Sequence, residues 1–365
     1  MAHYRADQVG SLLRPPELLQ ARKAYQARDI GVEELRRVED RAITEALEMQ
    51  RQVGIEVYTD GEMRRDAWMS DVADAVEGFV DDHHLIHWHK PDGNTEDEPS
   101  RAKIAGATLH QVRRLTAHEV SFLKQYAPGP FKITLPSPVA IAQSGYKPGL
   151  SDHAYPTRAQ FLEELVRIIR GEMRTLVDEG VAYIQLDEGF IGYVGEDWRE
   201  RFQRGGVDPD QALAAAIAAE NACYDALPRE QVTLAMHICR GNSKSRWSLS
   251  GGYDWLAEQV FTSLHVDRFL LEYDSERAGG FAPLRFVPKG KTVVLGLVGT
   301  KYGQLEKQDD LVRRVEEAAK YVPYEQLALS PQCGFASVAE GNLLSQEDQR
   351  RKLELVVETT RKVWG

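Results

Sequence analysis

The stretch TRAQFLEELVRIIRGEMRTLVDEGVAYIQLDE, residues 157–188, decides the fold. It opens at Thr157 with the spacing of a helix-capping box, and apolar residues then recur at helical intervals until Gly180, which can end a helix. The apolar run at 181–186 is short enough for a buried strand, and two adjacent carboxylates follow it. The stretch therefore predicts a helix followed by one strand of a parallel sheet.

The same alternation of helix and strand continues through the chain. The predicted strands are residues 8–12, 55–59, 132–135, 181–186, 232–236, 268–271, 292–298 and 326–329. Strands that alternate with helices imply an α/β fold with a parallel sheet. We predict a single (β/α)₈ TIM-type barrel, because no strand is followed by the G-x-G-x-x-G loop of an open dinucleotide-binding sheet. Residues 80–130 fit no single strand–helix unit, and they predict an insertion made of a hairpin and a helix near 117–125.

Size and charge narrow the function. The chain has 365 residues, 42% of them hydrophobic and 28% charged, and a barrel can use the whole length, 1–365, as one catalytic domain. The net charge of −11 argues against a nucleic-acid partner, which needs a basic face. No run approaches 18 apolar residues and the first residues lack a secretory pattern, so we expect a cytoplasmic protein without a membrane span.

Polar residues at the predicted strand ends form a candidate metal site. His237 and Cys239 are two positions apart on a strand, so both side chains can face one ion. Glu272 ends the next strand, and Cys333 ends the eighth. Each residue taken alone has a simpler explanation: His237 could be a buried core histidine, and Glu272 could form an ion pair with Arg277. Because two thiols, an imidazole and a carboxylate end strands of one barrel, we predict a tetrahedral Zn²⁺ site.

Several motifs resemble the cobalamin-independent methionine synthase family, and most closely its short, single-barrel members. They are DQVGSLLRP at 7–15, TDGEMRR at 59–65, QLDE at 185–188, HIC at 237–239, Glu272 and SPQCGF at 330–335. The resemblance covers nearly the whole chain. It implies a zinc-dependent thiol S-methyltransferase that transfers a methyl group to homocysteine to give methionine, with the zinc ion on the four residues named above holding the homocysteine sulfur.

The resemblance also implies where the amino-acid end of homocysteine binds. By motif match it would be held by Gly10, Ser11, Glu62 and Asp187. Two carboxylates suit an ammonium group, and they would repel an anionic thiol that lacks an amine.

The half of the site that binds the methyl donor departs from the family pattern. Long members have a second, N-terminal barrel, a tryptophan that stacks on the pterin, and a histidine that protonates the departing pterin nitrogen. Here Tyr146 is the only aromatic ring near the corresponding stretch 137–146, and the sequence GTKY at 299–302 replaces the histidine. Lys301 is the nearest ionisable substitute and the candidate catalytic acid. Either a methyl-folate or a methyl-corrinoid fits as the methyl donor. A homodimer is also compatible with the sequence.

Two other functions fit part of the pattern. A zinc-thiolate alkyltransferase of the epoxyalkane–coenzyme M transferase type would use the same metal with another thiol or electrophile, but it has no use for Glu62 and Asp187. A metal-storage or sensory barrel would leave the carboxylate pair without a purpose. The uroporphyrinogen decarboxylases share the barrel but need no zinc.

Overall fold

The computed structural model describes residues 4–365, in which a parallel sheet is surrounded by helices. The strands are β1 (Val76–His89), β2 (Thr95–Gln111), β3 (Ile133–Pro136), β4 (Tyr183–Asp187), β5 (Thr233–Ile238), β6 (Arg268–Glu272), β7 (Thr292–Val298) and β8 (Leu327–Pro331). The parallel sheet has the order β3-β4-β5-β6-β7-β8, so strands that follow one another in sequence are neighbours. The α/β class with a parallel sheet is therefore confirmed, and six of the eight predicted strands are present.

Helices connect the strands. They are α1 (Pro16–Gln26), α2 (Val32–Val53), α3 (Ser70–Ala75), α4 (Ala117–Tyr126), α5 (Pro138–Gly145), α6 (Arg158–Asp178), α7 (Trp198–Arg204), α8 (Pro209–Tyr224), α9 (Ala257–Ser263), α10 (Gln308–Ala318) and α11 (Gln346–Trp364). Short 3₁₀ turns lie at Ser151–His153, Ile191–Tyr193, Glu276–Ala278, Ala282–Phe286 and Tyr324–Gln326. None of the helices within 4–365 is long and apolar enough to cross a membrane.

The helix and strand that the opening stretch predicts both form. Thr157 caps α6 by accepting a hydrogen bond from the backbone N–H of Gln160. The helix buries Phe161, Leu165 and Ile169 completely, and each such side chain contributes about 1.5–3 kcal/mol. All five residues of β4 are buried as well, because helices cover one side of the sheet and side chains of other strands cover the other.

The predicted strands at 8–12 and 55–59 do not form, and the sheet is not closed. Parallel pairing at these edges is limited to single bridges between Ala6 and Leu329 and between Tyr58 and Phe131. Buried side chains take the backbone groups that a ladder would use. Gln50, for example, accepts from Thr59 N at 3.0 Å and donates to Thr59 O at 2.9 Å. The apolar pattern of a strand was present, but side chains replaced its backbone partners.

The predicted insertion contains an antiparallel hairpin, β1–β2, and then helix α4. The end of the hairpin reaches the loop that follows β5. His89 N donates to Trp247 O at 2.8 Å, and Trp247 N donates back to His89 O at 3.2 Å. The Arg246 guanidinium binds Glu96 and Glu98, so the hairpin is tied to the loop by both backbone and side chains.

Candidate active site

Four side chains that can bind a metal meet at the carboxyl ends of three strands. His237 lies in β5, and Cys239 is the first residue after that strand. Glu272 is the last residue of β6, and Cys333 lies just beyond β8. All four are buried, and their ligand atoms lie within 4.8 Å of one another. The two sulfur atoms are 3.5 Å apart. This donor set can hold one ion with tetrahedral geometry.

The histidine is oriented for coordination. His237 Nδ1 lies 3.1 Å from the backbone oxygen of Leu270, which only accepts, so the hydrogen sits on Nδ1. The other ring nitrogen, Nε2, is buried and takes no hydrogen bond from the part of the chain that the structure describes. A buried lone pair without a partner is costly unless it is coordinated. The free Nε2 beside two sulfurs therefore fits a metal ligand.

The two cysteines differ in acidity. A hydrogen bond from Cys239 holds the pKa of the Cys333 thiol well below its usual value, and nearby His237 acts in the same direction against burial. The same contact, together with burial, raises the pKa of Cys239 well above its usual value. The lowered pKa of Cys333 favours the thiolate, the form in which cysteine binds metals.

The carboxylate of the cluster is held from two sides. Arg240 N donates to Glu272 Oε1 at 3.0 Å, and Arg277 Nη2 lies 3.2 Å from Glu272 Oε2. Burial favours the neutral acid, but the charges of Arg277, Lys301 and Arg240 keep the pKa of Glu272 below its usual value. The ion pair with Arg277 that the sequence suggested is present, and it orients Glu272 within the cluster instead of removing it.

Two further carboxylates lie beside this cluster. Asp187 ends β4, directly opposite His237 in the sheet register. Burial raises the pKa of Asp187 to about 7, His237 opposes this, and the negative charge of Glu62 adds to it. Glu62 is also buried, its Oε1 accepts from Thr134 Oγ1 at 2.9 Å, and its Oε2 has no partner within residues 4–365. Two buried acids that repel each other favour a cation between them.

The segment Gly10–Ser11 connects the carboxylates to the metal cluster. A side chain at Gly10 would lie 3.0 Å from Glu62 Oε1, and a side chain at Gly334 would lie 2.0 Å from Ser11 Oγ. Both positions therefore require glycine for close approach. Since Gly334 follows Cys333, the residues expected to bind the amino-acid end of the substrate lie next to those expected to bind the metal.

Lys301 is buried, 2% exposed, and lies behind the loop that follows Cys239. Its Nζ donates to Asn242 Oδ1 at 2.9 Å, to Arg246 O at 3.3 Å and to Gly241 O at 3.4 Å. A lysine ammonium has three N–H groups, and all three are engaged with neutral acceptors. In this arrangement Lys301 fixes the loop that follows the metal ligand.

Glu188 is a site residue that the sequence did not single out. Alternation along a strand places Glu188 on the face opposite Asp187, but its φ of 68° ends the strand and redirects its side chain. It lies within hydrogen-bonding reach of Cys239, and burial raises its pKa to about 8. Positive φ at a non-glycine residue is costly and clusters at functional sites. The sequence signal was the adjacent pair of carboxylates after β4.

Comparison with known proteins decides the family. The profile of the cobalamin-independent synthase catalytic domain matches residues 6–361. The chain belongs to this family of cobalamin-independent methionine synthases. Uncharacterized protein YxjG of Bacillus subtilis is 38% identical over 99% of this chain and 95% of its own length. A methionine synthase of Sulfolobus acidocaldarius is 22% identical over 94% of this chain and 93% of its own.

A solved structure of the family has the same fold. The crystal structure of a candidate vitamin-B12-independent methionine synthase from Listeria monocytogenes superposes with a TM-score of 0.76. It is 28% identical to this chain, and the match covers 100% of this chain and 99% of the Listeria chain. The family fold therefore extends over the whole length of both proteins.

Tyr146 is the aromatic ring that the sequence offers near the expected binding stretch for the methyl donor. Tyr146 is buried in the core, where its hydroxyl donates to Asp152 Oδ1 at 2.5 Å and lies 3.1 Å from the backbone oxygen of Tyr155. Its ring packs against Phe161 with the centroids 6.1 Å apart. Tyr146 therefore serves the packing of α6 and has no free face for a planar ligand.

Proposed function

We propose that this protein is a zinc-dependent thiol S-methyltransferase that transfers a methyl group to homocysteine to give methionine. The observation that carries the proposal is the meeting of His237, Cys239, Glu272 and Cys333 within 4.8 Å, beside the buried acids Glu62 and Asp187. Family membership supports a methyltransferase, and the relative from Sulfolobus acidocaldarius is named as a methionine synthase.

The residues suggest how the thiol is bound. The four donors would hold zinc, which lowers the pKa of a bound thiol so that the sulfur reacts as a thiolate. Glu62 and Asp187 would bind the ammonium group, and the Gly10–Ser11 backbone would lie along the carboxylate. Because the site is buried, water is excluded and these charge-assisted contacts are strong. A coenzyme M-like thiol carries a sulfonate and no amine, so the two acids would repel it.

We further propose that the parallel sheet and its edge segments form a single (β/α)₈ barrel and one catalytic domain over residues 1–365, with 80–130 as an insertion. The bridges at Ala6 and Tyr58 support this, because each extends the sheet by a parallel pairing. One hydrophobic cluster includes residues from Ala6 to Val357, which supports a single domain.

The methyl donor can be tested directly. A methyl-folate donor needs an acid for its departing nitrogen, which typically contributes at least about 100-fold to the rate. Lys301 donates all its hydrogens to the loop at 241–246, so we expect zinc-loaded protein to form methionine from homocysteine at least about 100-fold faster with methylcobalamin than with 5-methyltetrahydrofolate. Mass spectrometry of the methionine formed measures both rates in parallel.

The variant Lys301→Met separates the two roles of the lysine. If Lys301 only fixes the loop, the Lys301→Met change will slow methyl transfer from both donors by the same factor. Efficient methionine formation from methyl-folate, abolished by Lys301→Met with the methylcobalamin rate unchanged, would make Lys301 the acid and contradict the expected order of donors. No methionine from either donor, in protein that carries zinc, would contradict the proposed function itself.

A further inference from the structure

A continuous chain of buried polar groups runs through the interior of the sheet and ends at Asp187. Lys132 Nζ donates to Asp7 Oδ1 at 2.9 Å and to Gln185 Oε1 at 2.7 Å. Gln185 Nε2 in turn donates to Asp187 Oδ1 at 2.7 Å and to Val9 O at 2.8 Å. Asp7 and Gln185 are fully buried, and Lys132 is 1% exposed. The proposed transfer reaction assigns no role to Lys132 or Gln185.

The lysine determines which way the glutamine amide faces. A lysine ammonium can only donate, so the Gln185 atom that faces Lys132 has to be the oxygen. The amide nitrogen must then face Asp187, and its two hydrogens are used by Asp187 and Val9. The reverse orientation would place the amide nitrogen against the ammonium group and the amide oxygen against the carboxylate. Both contacts would be repulsive, so the orientation is fixed.

The far end of the chain, around Lys132, is fixed as well. Asp7 Oδ2 accepts from Tyr183 OH at 2.8 Å and lies 3.3 Å from Arg268 Nη2. Asp7 is thus held by Tyr183 and Arg268 as well as by Lys132. Since buried charges are retained only when paired, Asp7 keeps the Lys132 ammonium group in place beside Gln185.

Because Gln185 is fixed, the Asp187 carboxylate is held in one orientation as a hydrogen-bond acceptor. One oxygen, Oδ1, is occupied by Gln185, whereas Oδ2 takes no hydrogen bond from residues 4–365. Glu62 has the same asymmetry, because Thr134 occupies its Oε1 and Oε2 has no partner in the described chain. Each acid thus keeps one oxygen for a ligand, and a primary ammonium group, which carries three N–H donors on one atom, can donate to both.

We propose that Gln185 and Lys132 are positioning residues that make this site selective for thiols carrying an α-amino group. They act through Asp187, whose carboxylate they hold as an acceptor aimed at the ammonium group. This inference rests on the proposed function, since it concerns recognition of the thiol substrate. It adds two residues, outside the metal ligands and the substrate contacts, on which substrate choice depends.

The experiment compares two thiols that differ only in the amino group, L-homocysteine and 4-mercaptobutanoate. Isothermal titration calorimetry measures their binding to zinc-loaded wild type, Gln185→Met and Asp187→Asn. We expect Gln185→Met to weaken homocysteine binding at least about tenfold, the lower limit for one charge-assisted hydrogen bond, and to leave the binding of 4-mercaptobutanoate unchanged. The double variant, Gln185→Met with Asp187→Asn, should bind homocysteine as tightly as Asp187→Asn alone, because both changes remove the same interaction.

The matched control is Gln349→Met. Gln349 is also buried, 4% exposed, but its side chain binds Leu13 N at 2.7 Å and lies outside this chain. The Gln349→Met protein should bind both thiols as tightly as the wild type does. If Gln185→Met does not fold, Gln185→Asn carries the same test, since its amide is one methylene too short to reach both partners.

The outcomes distinguish the inference from the proposal beneath it. Equal weakening of both thiols by Gln185→Met, or no weakening of either, would overturn the positioning role. A wild type that binds 4-mercaptobutanoate as tightly as homocysteine would instead contradict the proposed substrate. Loss of zinc from Gln185→Met, with both thiols lost, would make Gln185 a support of the metal cluster and also refute the inference.

Discussion

Cys333→Ser is expected to remove the metal and abolish methyl transfer while the protein stays folded. The Cys333 sulfur lies 3.5 Å from that of Cys239, and this contact holds the pKa of Cys333 well below its usual value. A serine hydroxyl is a poor zinc ligand, so zinc affinity should fall by at least about 100-fold. After dialysis, elemental analysis should find about one zinc per wild-type chain and almost none in the variant.

Cys223→Ser is the matched control for this experiment. Cys223 is equally buried in α8, but its sulfur is 4.0 Å from Val166 O and lies outside the cluster. The Cys223→Ser protein should retain its zinc. X-ray absorption of the wild type should show two sulfur ligands and a third after homocysteine is added. A Cys333→Ser protein that carries a full complement of zinc would exclude Cys333 from the metal site.

Glu119→Ala is expected to lower the free energy of unfolding by about 3–5 kcal/mol, because it removes the carboxylate that binds a buried arginine through two hydrogen bonds. Arg65 Nε and Nη2 bind Glu119 Oε1 and Oε2 at 2.9 and 2.8 Å, and both side chains are at most 4% exposed. Arg65 also donates to Thr134 O at 2.9 Å and lies 3.7 Å from Glu62 Oε1. The loss should therefore also weaken homocysteine binding.

Glu48→Ala provides the comparison, since Glu48 binds Arg51 through the same two-pronged contact on the surface. Solvent screens that pair, and its removal should leave the urea midpoint unchanged. Urea unfolding followed by circular dichroism measures both variants. Equal midpoints for Glu119→Ala and the wild type would show that the buried pair contributes nothing to stability.

Local spacing was enough to predict that the four possible metal ligands meet. His237 lies in β5, Cys239 is the first residue after β5, Glu272 ends β6, and Cys333 closely follows β8, so the carboxyl ends of three strands bring them together. Glu188 escaped the same logic, because its positive φ reverses the direction that strand alternation predicts.

Side-chain contacts that a local sequence pattern does not show account for the rest. Nothing near Thr59 in the sequence shows that the Gln50 amide will occupy its backbone N–H and oxygen. The orientation of Gln185 depends on Lys132, which lies in another strand region. Tyr146 could be singled out as an aromatic ring, but only packing against Phe161 shows that it belongs to the core.

The bridge between Ala6 and Leu329 also sets the order of events when the protein is made. Its two residues lie far apart in the sequence, so this edge stays unpaired on the ribosome until Leu329 has been synthesised. Cys333 emerges after the other three ligands and after almost all of the sheet. The nascent chain therefore offers metal an incomplete set of donors. Because pairing over such a long sequence separation is slow, the four donors are expected to come together only late in folding.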